Sequence, residues 1–115
     1  MDNKIYTFEE IKAITKVVFE KYKIKKAYLF GSYAREEAKA DSDIDIMIVK
    51  EDSNITTLLN LAEFETELQE ILNKKVDVII EETYLDDTVE ENKYGKLAKE
   101  LFFKQVKKDR RVLYD

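Results

Sequence analysis

Residues capable of phosphate and metal chemistry lie close together in one short segment of this chain. The pair Gly31 and Ser32 comes first, and a basic side chain, Arg35, follows it. Asp43 and Asp45, separated by one residue, come next and lead directly into an apolar run. Turns of this kind expose backbone N–H groups that bind anions, and paired carboxylates bind hard cations. The combination predicts the handling of a nucleoside triphosphate together with a divalent metal ion.

The two aspartates should lie on one face of a strand, because side chains alternate between the faces of a sheet. Their Cα atoms should be roughly 6.5 Å apart, which is close enough to share a metal ion. Two unpaired carboxylates on an apolar strand are costly unless a cation compensates them. The alternative is that these acids only begin a strand in solvent. The apolar run after them and the Gly–Ser turn before them favour a metal site.

Asp77 is the third candidate, because it interrupts the apolar segment Val76–Ile80. If this segment is a strand beside the one that carries Asp45, its carboxylate can reach the same site. The alternative is a charge that keeps an edge strand soluble. The presence of the aspartate pair favours a role in the site.

The Gly–Ser turn has the features of a phosphate-binding turn. Gly31 allows the backbone to approach a phosphate closely, and Ser32 is predicted to be the N-cap of a short helix over residues 33–38. The free N–H groups at a helix start favour anions. Arg35 falls in the first turn of that helix, where a cation opposes the helix dipole. Its position therefore indicates a bound anion rather than an incidental surface arginine.

Composition limits the kinds of site that the chain can build. The sequence contains no cysteine and no histidine, so a metal must be held by oxygen ligands, as magnesium, manganese and calcium are. The net charge of −5 argues against a broad nucleic-acid-binding surface. The basic stretch Lys104–Arg111 is an exception, and it indicates either a solvated helix end or a surface for a partner. No apolar run approaches the ~20 residues that span a bilayer, and a cytoplasmic location without membrane contact is expected.

Hydrophobic periodicity predicts a single α/β domain over residues 1–115. The predicted strands are short apolar segments: 26–30, 44–49, 76–80 and an edge strand over 112–114. The predicted helices are amphipathic or follow a capping signal: 8–23, 33–38, 55–73 and a last helix from Tyr94 onward, after a break at Asn92–Gly95. The acidic run over residues 81–91 is predicted to be a solvated helix face.

These motifs together resemble a known superfamily. Gly31-Ser32, ten residues and then Asp43-Ile44-Asp45 resemble the signature of the DNA polymerase β-like nucleotidyltransferases. The flanking sequences GSYAR and SDIDIMIV are most similar to the minimal nucleotidyltransferase (MNT) branch of that superfamily. The resemblance implies an α/β (α+β) fold, with a mixed β-sheet on which helices pack.

The resemblance also implies a reaction and assigns residues to it. A nucleoside monophosphate, here AMP from ATP, would pass to an acceptor with release of pyrophosphate and with the help of two Mg²⁺ ions. Asp43 and Asp45 match the metal-binding pair, and Asp77 matches the third acid, which binds a metal and activates the attacking hydroxyl. Gly31 and Ser32 match the residues that hold the β- and γ-phosphates.

Many MNT proteins are antitoxins paired with a HEPN-domain ribonuclease toxin. The resemblance therefore implies transfer of AMP to a protein hydroxyl, a tyrosine of such a toxin, in a hetero-oligomer. One alternative is a weak or inactive enzyme that neutralises the toxin by binding alone. Another is transfer to a small molecule such as an aminoglycoside.

One residue departs from the family pattern. The family usually has glycine after the motif arginine, and this chain has Glu36 there, followed by Glu37. Two acids near a triphosphate could weaken its binding, or they could point into solvent.

Overall fold

The computed structural model describes residues 4–86 and 92–115. These residues form an α/β fold whose helices and strands are, in chain order, α1 (Phe8–Lys21), β1 (Lys26–Phe30), α2 (Gly31–Ala34), β2 (Ile44–Val49), α3 (Leu58–Leu72), β3 (Val76–Ile80), α4 (Glu81–Leu85), α5 (Lys93–Asp109) and β4 (Arg111–Tyr114). Within these two ranges, no helix is both long enough and apolar enough to cross a membrane.

Both long helices on the N-terminal side begin at a capping box. The Thr7 side chain accepts a hydrogen bond from the Glu10 N–H, and the Glu10 carboxylate accepts one from the Thr7 N–H, so two otherwise unpaired donors are satisfied. Thr57 and Asn60 make the same pair of bonds at the start of α3. This cap explains why α3 begins at Leu58, three residues later than predicted. Asn73 ends the helix in the left-handed conformation.

The four strands form one mixed sheet in the order β3-β2-β1-β4. β1 is antiparallel to both β2 and β4, whereas β2 and β3 are parallel. β2 is central, and Ile44, Ile46, Met47 and Ile48 are fully buried in it. The predicted fold class and the predicted edge strand over 112–114 are confirmed.

Helices cover both faces of the sheet. On one face, Ile46 packs in a core with Phe19 of α1 and Phe64 of α3. On the other face, Met47 packs with Phe103 of α5 in a second, smaller core. Because side chains alternate along β2, Asp45 shares the face of Met47. The aspartates of the predicted site therefore lie on the α5 side of the sheet.

The predicted helix over 33–38 is wrong. The helix α2 covers only Gly31–Ala34, its N-cap is Phe30 without a side-chain bond, and Ser32 lies inside the helix rather than at its cap. Glu36 has a φ angle of +59°, which ends the helical path. Serine favours the N-cap position, which is why Ser32 is predicted there. Gly31, however, follows β1 directly and is itself the first helical residue, so Ser32 is the second.

The acidic run was predicted as one helix face, and the structure shows a more specific arrangement. Its first part forms α4, in which the Glu82 carboxylate accepts hydrogen bonds from the N–H groups of Lys50 and Glu51 at 2.9 and 2.7 Å. Residues 87–91 of the run lie outside the described residues. The predicted break at Asn92–Gly95 is instead the start of α5, because Asn92 caps it by accepting from the Gly95 N–H.

We expect Glu36→Gly to raise the free energy of unfolding by about 1 kcal/mol, because a side chain in the left-handed region carries a steric cost that glycine avoids. The lost ion pair with Arg111, at 3.8 Å on an exposed glutamate, contributes little. Urea denaturation of both proteins measures the difference. Glu37→Gly is the matched control, since Glu37 does not have a positive φ. Equal destabilisation by the two changes would show that the backbone of Glu36 is not strained.

Candidate functional site

The strand register brings two of the three predicted acids side by side. In the parallel pair of β2 and β3, Asp45 lies directly opposite Asp77. Like charges in such a pair destabilise a sheet unless a cation lies between or beside them. β3 therefore lies beside β2, as the prediction for Asp77 required, and the two carboxylates are neighbours on one face of the sheet. Their binding of one metal ion stays a prediction. β3 is also an edge strand, so the alternative role for Asp77 as an edge charge stays open.

Asp43 lies just before β2, where the chain enters the strand. Its carboxylate is 3.6 Å from the ammonium group of Lys75, which occupies the corresponding position just before β3. The Ile44 N–H donates to the Lys75 carbonyl at 3.0 Å, which fixes the two entering segments next to each other. Asp43 is thus on the same side of the site as Asp45, with its charge balanced by a lysine.

The protonation of Asp45 reflects its surroundings. Its side chain is half-buried, and the pKa of its carboxyl is raised from 3.8 to about 6. Burial is the largest cause of this rise, the nearby charges of Asp77 and Asp43 add to it, and Arg35 and Lys75 oppose it. A carboxylate that is costly to ionise in the free protein is one that a cation would stabilise.

Gly31 lies against the Asp45 carboxylate. Its φ angle is +73°, and a Cβ atom built on it would lie 2.2 Å from Asp45 Oδ2. No residue with a side chain fits there without displacing either the turn or the carboxylate. The glycine was predicted to approach a phosphate. Its observed close neighbour is one of the predicted metal ligands, so turn and carboxylate form a single unit.

Arg35 does not lie where the sequence placed it. It is the C-cap residue of α2, where a cation suits the helix dipole, so the predicted conflict with the dipole is wrong. Its guanidinium donates to Glu37 at 3.1 Å and to Asp109 of α5 at 3.3 Å. Hydrogen bonds from Gln105 and from this arginine lower the pKa of Asp109. The contact of Arg35 with a nucleotide, like that of Ser32, stays a prediction.

The two acids that depart from the family pattern point outward. The Glu36 side chain is 83% exposed and lies near Arg111, and the Glu37 side chain is 66% exposed and pairs with Arg35. Neither is among the charges that shift the pKa of Asp45. Tyr33, by contrast, is buried in the larger core.

Oxygen ligands for a metal ion are present, although the side chains are not gathered into a complete set. Across residues 4–86 and 92–115, no three acidic side chains converge closely enough to hold an ion. Asp45 and Asp77 lie side by side on neighbouring strands, and the Asp43 carboxylate is 3.6 Å from the Lys75 ammonium group. Two neighbouring carboxylates, one with a raised pKa, fit a hard divalent cation in charge and in ligand type.

Two residues of the site were missed in the sequence. Lys75 precedes Asp77 by two positions, and Asp43 precedes Asp45 by two, so aligning the two strands in parallel would have paired the lysine with Asp43. Asp109 carries no such signal, because its contact with Arg35 joins residues 74 positions apart.

Comparison with known sequences identifies the family. The profile of the polymerase beta nucleotidyltransferase family matches residues 10–115. One relative is a Methanocaldococcus jannaschii protein that is named as a proposed protein adenylyltransferase. It is 44% identical over 94 residues, which cover 75% of this chain and 94% of that protein. The protein adenylyltransferase MntA of Thermococcus cleftensis is 38% identical, over 64% of this chain and 77% of that protein.

Solved structures share the fold. A chain from a toxin–antitoxin crystal structure with AMP-PNP superposes with a TM-score of 0.64 at 20% identity, over 90% of this chain and 72% of that chain. A chain from the complex of a tri-AMPylated Shewanella oneidensis HEPN toxin with its MNT antitoxin gives a TM-score of 0.61 at 18% identity, over 94% and 72%. The predicted resemblance to minimal nucleotidyltransferases is thereby confirmed, and this chain belongs to the polymerase β nucleotidyltransferase family.

Proposed function

We propose that this chain transfers AMP from ATP to a protein hydroxyl, a tyrosine of a HEPN-domain ribonuclease toxin, and so acts as the antitoxin. The observation that carries the proposal is the Asp45–Asp77 pair with the Gly31 turn against it. Sequence relatives named as protein adenylyltransferases support it, as does the shared fold with a chain of an MNT–HEPN complex in which the toxin carries AMP.

The reaction requires one base and several groups that stabilise negative charge. The acceptor oxygen forms a bond to the α-phosphorus of ATP, the bond from that phosphorus to the oxygen bridging to the β-phosphate breaks, and pyrophosphate leaves. The hydroxyl proton must pass to a base, and we assign that role to Asp77, since the chain has no histidine. Gly31 and Ser32 would position the leaving phosphates through backbone N–H groups.

Mg²⁺ is the cation that these residues would hold, through Asp43, Asp45 and Asp77. When bound, it would stabilise the attacking and the leaving oxygens and screen the triphosphate from the carboxylates. Lys75 would then be released from its role as the counter-charge of Asp43. Most of the rate would come from positioning and from charge stabilisation rather than from a reactive side chain.

The test is transfer of AMP to a purified HEPN-domain toxin. We expect the wild-type chain with ATP and Mg²⁺ to add one or more AMP units to the toxin, seen by intact mass, and to reduce its ribonuclease activity. Peptide fragmentation should place the AMP on a tyrosine. The double change Asp43→Ala/Asp45→Ala should abolish the mass gain, as should removal of Mg²⁺ with EDTA.

Asp41→Asn is the matched control, because Asp41 is exposed and precedes the two site aspartates on the same segment. It should transfer AMP at the wild-type rate. A toxin that is neutralised without any gain of mass would overturn the transfer and leave an antitoxin that acts by binding. AMP found on an aminoglycoside and not on the toxin would assign a small-molecule acceptor instead.

A further inference from the structure

The N-terminal half of α5 carries an apolar stripe that the rest of the described chain leaves uncovered. Tyr94, Leu97 and Leu101 recur at helical spacing and are 81%, 50% and 58% exposed. The buried residues of the same helix, Phe103 and Val106, lie on the opposite side of a helix with 3.6 residues per turn. α5 therefore has two apolar faces, and only one of them packs on the part of the chain that the structure describes.

The buried residues of this helix lie in its C-terminal half. Phe103 stacks on Tyr84 at 5.5 Å, and Phe102 contacts Phe30 edge to face at 6.2 Å. In the range 93–101, by contrast, no residue is buried. A helical segment this short is marginal in water without tertiary contacts, and a contiguous exposed apolar surface marks an interaction site. Both points indicate that another surface covers the stripe.

Charge indicates what that surface is. α5 contains six lysines and two acids in a chain whose net charge is −5. Lys104 and Lys108 follow Leu97 and Leu101 by seven positions each, so they continue the same face of the helix. A second copy docked through the same stripe would bring together two helices that carry the same net positive charge. The complementary surface is an apolar ridge flanked by aspartate and glutamate side chains.

The stripe leads to the candidate site. α5 packs on the face of the sheet that carries Asp45, and its last residue, Asp109, contacts Arg35 at 3.3 Å. Asp109 is eight positions after Leu101, which is about 12 Å along the helix axis. A protein held on the stripe therefore lies on the same side of the sheet as the carboxylates.

We infer that the α5 stripe, defined as Tyr94, Leu97 and Leu101, docks the protein that receives AMP, through a surface of that protein that presents an apolar ridge with acidic flanks. This inference rests on the proposed function, because it takes the acceptor to be a protein. It adds the surface that holds the acceptor and the chemistry that the acceptor must present. Lys104 and Lys108 form the basic end of the docking surface.

The experiment compares binding of variants to a purified HEPN-domain toxin by isothermal titration calorimetry. All proteins carry Asp45→Asn, so that binding is measured without transfer. We expect Leu97→Glu/Leu101→Glu to raise Kd by about 100-fold or more, because it puts two charges into the apolar centre of the contact. Leu58→Glu/Leu59→Glu is the matched control, since these leucines of α3 are also exposed, at 85% and 67%, and its Kd should not change.

The basic end is tested through the kinetics of association. Lys104→Glu/Lys108→Glu should slow the association rate by about tenfold at low salt and remove most of its salt dependence. Circular dichroism of each variant should match that of the parent protein, because all substituted side chains are exposed. A basic end that plays no part in docking would leave the rate unchanged.

The outcomes separate this inference from the proposed function. Equal Kd values for the α5 and α3 variants would overturn the docking surface even if AMP transfer occurs. Normal binding through α5 without AMP transfer by the wild-type chain would overturn the proposed function alone. No binding of the toxin by any protein would overturn both. A homodimer, detected by sedimentation and dissolved by Leu97→Glu/Leu101→Glu, would assign the stripe to a second copy instead.

Discussion

We expect Gly31→Ala to lower the rate of AMP transfer by about 100-fold or more and the free energy of unfolding by about 1–3 kcal/mol. The added Cβ would lie 2.2 Å from Asp45 Oδ2, and the backbone has a φ angle of +73°. Either the turn or the carboxylate must move, and both belong to the site. Transfer is measured by incorporation of labelled AMP, and stability is measured by urea denaturation.

Gly95→Ala is the control for this prediction, because the chain has only two glycines. An added Cβ on Gly95 would lie 3.3 Å from the side-chain oxygen of Asn92, in the first turn of α5. That side chain is exposed and can shift, so we expect normal transfer and a stability change of no more than about 1 kcal/mol. If Gly31→Ala also transfers AMP normally, the turn is not part of the catalytic unit.

The strands were predictable because their signals are local. β1, β2 and β3 have the predicted bounds, since each is an apolar run that ends at a glycine or a charged residue. Their order in the sheet was not predictable from these signals. Nothing local in Lys26–Phe30 indicates that it pairs with both β2 and β4. From the sequence, the pairing of Asp45 with Asp77 depended on β3 lying beside β2. The parallel register of these two strands establishes the pairing.

The errors around α2 have a common physical cause. Ser32 and Arg35 were interpreted through helix-capping rules, which consider only neighbours along the chain. The observed positions depend on contacts across the fold: Gly31 against Asp45, and Arg35 against Asp109. Such contacts determine where a short helix begins, because four residues contribute too few hydrogen bonds of their own.

We expect Asp45→Asn to abolish transfer and at the same time to stabilise the metal-free protein. The loss of transfer should be about 100-fold or more, because a charged group aimed at the reacting phosphate or its metal is removed. The gain in the free energy of unfolding should be about 2–3 kcal/mol at pH 8, because the pKa of Asp45 is raised from 3.8 to about 6 in the folded protein and each pKa unit corresponds to about 1.4 kcal/mol. The neutral amide removes the repulsion between Asp45 and Asp77.

The stability gained by Asp45→Asn should depend on pH, in a direction that follows from the raised pKa of Asp45. A carboxyl with a raised pKa binds its proton more tightly in the folded state, so the fold loses stability as the pH rises from about 4 to about 6, and the loss is complete above that pH. The stability difference between Asp45→Asn and wild type should therefore be largest above that pH, shrink as the pH falls from about 6 to about 4, and vanish below. Urea denaturation in EDTA across this range measures the stability difference, with Asp41→Asn as the control that shows no such trend.

Added Mg²⁺ should stabilise the wild type and not Asp45→Asn. A stability difference that does not change with pH would show that ionisation of Asp45 does not destabilise the fold. The site would then gain nothing electrostatically from a bound cation.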